Sequence, residues 1–143
     1  MNKIFYLSLL VTCCLYALAR GGKPERAAVG ILAAAVGASF AVPSMGSHRF
    51  YQLELGMLAV DSCLFLSMTA LALKAQRYWT MWLAAVKFNT VITHLLILSP
   101  TLPPWSYAIA NAAWSYPSPL LIAIGAVRHR QRLKRYGADP AWS

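Results

Sequence analysis

Glu54 and Asp61 lie along one apolar stretch of the chain, and Lys87 and His94 along the next. Charge is costly in an apolar medium, so such groups pair with one another or line a polar path. The members of each set are seven positions apart, which puts both on one helix face with little angular drift. Folded back as an antiparallel hairpin, the stretches set Glu54 against His94 and Asp61 against Lys87, both pairs centring on Lys74. Two kinds of chemistry fit these residue types. One is a structural ion pair that fixes the hairpin's rotation and register. The other is a proton or ion relay.

The elements that must hold these groups are read from composition. The chain has 143 residues, of which 59% are hydrophobic and only 12% charged, with a mean hydropathy of +0.52. A soluble domain is roughly a quarter charged. Five apolar stretches, residues 4–19, 27–42, 55–73, 79–98 and 105–127, are set apart by polar or proline-containing connections. A helix needs about 20 residues to cross a bilayer, so the last three fit well and the first two are short. The expected fold is an all-α integral membrane protein, a bundle of five transmembrane helices with short loops. The count falls to four if the first two stretches merge into a re-entrant pair.

Charge placement orients this bundle. The net charge is +9, but the basic residues sit at the ends of apolar stretches, where they set membrane topology. With all five helices retained, ten of the 13 basic residues fall on one side: Arg20, Lys23, Arg26, Lys74, Arg77, Arg128, Arg130, Arg132, Lys134 and Arg135. That side is expected to be the cytoplasm of a bacterial inner membrane, with the amino terminus outside and the carboxyl terminus inside. Residues 1–127 form the membrane domain and residues 128–143 a basic cytoplasmic tail. Residues 1–19 also fit a signal peptide, with Ala17-Leu18-Ala19 as its cleavage site. Removing them would force a basic connection outside, which favours a retained helix. No nucleic-acid partner is expected. The basic tail suits anionic lipid headgroups instead.

Other residues define faces. Asn89 and Thr90 make the fourth helix polar around Lys87, and Asn111 and Ser115 mark the outer half of the fifth, which Pro117 and Pro119 interrupt. In the second helix Gly30, Ala34 and Ala38 recur at four-residue spacing, as do Ala33, Gly37 and Ala41. Such ridges let helices approach closely in lipid. Packing inside the bundle is the first expectation, and a homodimer face the second. The three histidines, His48, His94 and His129, are badly placed for haem, and Cys13, Cys14 and Cys63 form no metal-binding spacing. No nucleotide loop, catalytic triad or H-E-x-x-H motif is present. The expectation is therefore no enzyme activity, cofactor or metal. The expected role is an accessory or structural subunit that packs against a larger membrane complex or against itself. The alternative is a small ion- or proton-coupled transporter built on Glu54, Asp61, Lys87 and His94.

Overall fold

The computed structural model describes residues 3–41, 55–95 and 104–139. They form six helices: α1 (Lys3–Arg20), α2 (Lys23–Ala41), α3 (Leu55–Ala75), α4 (Tyr78–Leu95), α5 (Pro104–Ser115) and α6 (Pro117–Tyr136). There is no strand among the described residues. The all-α expectation holds, and each expected stretch is helical where it is described, except that Tyr116 divides the fifth into α5 and α6. Glu54, the Pro43 stop and the connection at residues 96–103 lie outside the described residues.

Two tight turns shape the bundle. At the first, Gly21 N–H donates to the Ala17 carbonyl (2.8 Å) and Arg26 N–H to the Gly22 carbonyl (3.1 Å). The Glu25 carboxylate reaches back to the Gly22 N–H at 3.0 Å, a capping arrangement that satisfies an otherwise orphaned donor at the start of α2. The second turn is only Gln76 and Arg77. Gln76 takes a positive φ of 48°, and the Thr80 hydroxyl closes the start of α4 on the Arg77 carbonyl. The hairpin therefore turns after Ala75 rather than at Lys74. Lysine is a good helix former, and a cation suits the last turn of a helix, so α3 runs on past it.

Helices α5 and α6 abut at Tyr116, whose backbone stays right-handed helical at φ −64° and ψ −39°. Pro117 carries no N–H, so a hydrogen bond is missing there; the expected interruption is one residue wide. Helix α6 continues through the basic residues at 128–135, so this part of the expected tail is an extension of the last rod. It stops at Gly137, in the left-handed conformation at φ 70°, with the Gly137 N–H on the Leu133 carbonyl.

The most extensive packing is α3 on α4, followed by α1 on α6 and α2 on α3. Leu32, Leu64, Met68, Trp79, Leu83 and Ile122 anchor the core. Gly125 of α6 lies flat against Trp79: an added Cβ would stand 2.7 Å from the indole. Gly125→Ala should therefore cost about 1–3 kcal/mol through overpacking, read as a lowered midpoint in thermal unfolding.

One helix among the described residues, α3 with 21 residues, is both long and apolar enough to cross a membrane; α1 is apolar but shorter. Helix α2 carries Lys23, Glu25 and Arg26 in its first turn, and α4 carries Lys87, Asn89 and His94. These polar groups lower the apolarity of helices whose length is otherwise close to a span.

The small-residue ridges of α2 overturn the first expectation. Gly30, Ala33, Ala34, Gly37, Ala38 and Ala41 are all exposed, and no atom comes near a Cβ built on Gly30 or Gly37. Ala28, Val29 and Leu32 face the core instead. The valine and leucine side chains bury more apolar surface than glycine or alanine can, so their face turns inward and Ala28 goes with it.

Candidate functional site

Five of the six helices, α1 to α5, contribute to one polar cavity of about 160 Å³. Asp61 comes from α3, Lys87 and Thr90 from α4, Asn111 and Ser115 from α5, Ser39 from α2 and Tyr6 from α1. On α4, Lys87, Thr90 and His94 share a face by their three- and four-residue spacing, and all three are buried. On α5, Asn111 and Ser115 are one turn apart for the same reason. Below these groups Leu32 and Leu64 close the cavity toward the core.

His94 Nε2 and Asp61 Oδ2 are 2.8 Å apart. The His94 side chain is 1% exposed and that of Asp61 18% exposed. Lys87 shares the cavity and is attracted across it by the Asp61 charge. The pairing thus differs from the sequence expectation: Asp61 bonds His94 and not Lys87. The physical reason is the turn. Moving it from Lys74 to Gln76–Arg77 carries the position opposite Asp61 along α4 by more than one helical turn, from Lys87 toward His94. Glu54, the expected partner of His94, lies outside the described residues.

The hydroxyls around the cavity donate to their own helices. Ser39 bonds the Ala35 carbonyl at 2.9 Å, Thr90 the Val86 carbonyl at 3.2 Å and Ser115 the Asn111 carbonyl at 3.2 Å. Their oxygens keep lone pairs to offer. With the Lys87 ammonium as a donor, the lining can hold a few water molecules in a continuous hydrogen-bonded set. A space of this size and polarity suits bound water or proton movement rather than a large substrate. Asn89 stands outside this lining and donates to the Ala85 carbonyl.

Sequence reasoning identified Asp61, Lys87, His94, Thr90 and Asn111 but missed Tyr6 and Ser39 as lining residues. It also missed a polar cluster at the opposite end of the bundle, where Asp139 contacts Arg77, His129 and Arg132. Tyr6 had an available signal in its aromatic company: its ring meets Tyr116 edge-on at 5.3 Å, while Phe5 stacks on Tyr116 at 6.2 Å. These rings tie α1 to the α5–α6 junction. No group of three metal-ligating side chains occurs among the described residues. No known protein family, characterised protein or solved structure matches this chain.

Proposed function

We propose that the chain is an integral membrane protein serving as an accessory subunit, packed against a larger membrane assembly or a second copy of itself. The observation that carries this reading is a broad exposed apolar surface around an interior that also holds polar side chains. Lys87, Thr80, Thr90, Thr93 and Ser118 are buried, whereas Phe40 is 86% and Leu73 76% exposed, along with Leu66, Trp82 and Phe88. Apolar surface on this scale is a liability in water. In lipid it is the favoured arrangement, with polar groups turned toward neighbouring helices.

The basic end supports an orientation with the carboxyl terminus in the cytoplasm. The α1–α2 turn at Gly22 lies against His129, and the α3–α4 turn at Arg77 reaches Asp139. Both turns thus gather around the basic end of α6, consistent with a single cytoplasmic face under the positive-inside rule. The outward ridge of Gly30, Ala34 and Ala38 supports a helical partner, since small residues admit close helix contact in lipid. An apolar groove of about 410 Å³ runs beside it between α2 and α3, lined by Ile31, Ala38, Ala59 and Cys63 among others.

Two measurements test the reading. The protein should stay with the membrane through an alkaline carbonate wash; release into the supernatant would refute the membrane assignment. Ala34→Cys should form a cross-link to a partner or a second copy in native membranes, whereas Leu73→Cys should not. Equal cross-linking at both positions would remove the ridge as a docking face.

The polar cavity favours a second reading, proton- or ion-coupled transport through Asp61, His94 and Lys87. Under it, Asp61→Asn keeps normal protein levels in membranes but abolishes pH-gradient-driven flux in proteoliposomes. Under the accessory reading the same substitution lowers the level, and the wild type carries no such flux.

A further inference from the structure

We propose that Arg77, His129 and Arg132 form a phosphate-binding socket that the chain's own Asp139 occupies as an internal competitor. The proposal deepens the headgroup reading of the basic tail, and its phosphate arm does not depend on a membrane. The Asp139 side chain is only 3% exposed. Its Oδ2 accepts from Arg77 Nη1 at 3.0 Å and also contacts His129 Nδ1, while Oδ1 accepts from Arg132 Nε at 2.8 Å. The socket lies roughly 21 Å from the cavity, taking 1.5 Å per residue along α3 from Asp61 to its end at Ala75.

Donor geometry points beyond a carboxylate. Arginine presents paired N–H groups that match two oxygens of one anion. Here both Asp139 oxygens are already engaged, and Arg132 Nη2 is buried without a partner among the described residues. A carboxylate has no third oxygen to offer it. A phosphate monoester or inorganic phosphate does: one oxygen replaces Oδ2, a second replaces Oδ1 and a third meets Nη2.

Asp139 is also placed to leave. It follows Gly137, which has already ended α6 in the left-handed conformation, so withdrawing it requires rotation at residues 137–138 and no helix unwinding. Its departure would leave two guanidinium groups and His129 facing the vacated position, beside the other basic residues of α6. Glu25, buried across Gly22 from His129, offsets one of those charges. A carboxylate tethered this close acts at a high effective concentration, so an outside anion must outcompete it.

The test uses the full chain in an uncharged detergent, in chloride buffer, with inorganic phosphate as the probe. Asp139→Ala should bind phosphate at least about tenfold more tightly than wild type, since tethering supplies competition of that order or greater. Adding Arg132→Gln should erase the gain. A gain that survives Arg132→Gln would overturn the socket, as would equal phosphate affinity of Asp139→Ala and wild type with no response to phosphatidic acid. Should Asp139→Ala fail to fold, the wild type decides: saturating phosphate should raise amide hydrogen exchange at residues 137–139, and unchanged exchange refutes displacement. A parallel arm compares phosphatidylcholine vesicles with and without phosphatidic acid. A response to phosphatidic acid alone identifies the lipid headgroup as the ligand; a response to both identifies the phosphate group itself. Silence in both arms ends the proposal.

Discussion

Replacing His94 with leucine should destabilise the protein by about 3 kcal/mol, because it strips Asp61 of its hydrogen-bonded partner inside the bundle. The 18% exposure left to Asp61 places the cost at the lower end for a broken buried pair. Asp61→Leu should cost a similar amount, since it leaves His94 almost fully buried opposite an apolar side chain. The informative variant is the double one. With both groups apolar neither member of the pair is left facing an apolar side chain, although Lys87 loses the Asp61 charge, and buried pairs are often replaced by hydrophobic residues with little net loss. Asp61→Leu/His94→Leu should therefore be more stable than either single variant. Thermal unfolding of all four proteins in one detergent checks the cycle, and strictly additive losses would show that the two residues are not coupled. Parallel substitutions at Lys87 separate its role. It shares the cavity without bonding Asp61 directly, so Lys87→Met should couple more weakly to Asp61→Leu than His94→Leu does.

Gly21→Ala should be among the most damaging substitutions at the described glycines, at about 3 kcal/mol by overpacking. An added Cβ would fall 2.4 Å from the Ala17 carbonyl oxygen and 2.7 Å from Glu25 Cβ. The carbonyl already accepts the Gly21 N–H that ends α1, so it cannot retreat without opening that turn. Glu25 cannot retreat either without releasing the Gly22 N–H at the start of α2. Gly30→Ala is the matched control. Its Cβ meets open space, and alanine is the better helix former by up to about 1 kcal/mol, so the expected change is neutral or favourable for the isolated chain. Midpoints that fall equally in both variants would contradict the crowding at Gly21.

The contrast between these glycines shows what the sequence could and could not reveal. Helix existence was legible throughout, because five apolar stretches bounded by charge or proline leave few other folds for an apolar chain. The chemistry of the α3–α4 hairpin was legible too, since ionisable residues at heptad spacing stand out against leucine and alanine. The pairing within it was not. It depends on where the turn closes, and Gln76 adopts a positive φ without the glycine or asparagine that would announce it. The inward face of α2 was equally hidden. Nearly every residue in its second half is small and apolar, so periodicity gives no direction, and the bulk of Val29 and Leu32 decides. The Asp139 contacts span up to 62 positions of sequence. No local pattern records such a contact, and a basic run beside a chain end reads simply as a tail.

The two-residue link between α3 and α4 leaves no slack between these rods, so Asp61 and His94 travel as a rigid unit. Asn111 and Ser115 do not share that constraint, because Pro117 removes the backbone hydrogen bond that would tie their helix into α6. The rings of Phe5 and Tyr6 grip the tyrosine at that break, so the first helix braces the joint that the missing hydrogen bond weakens.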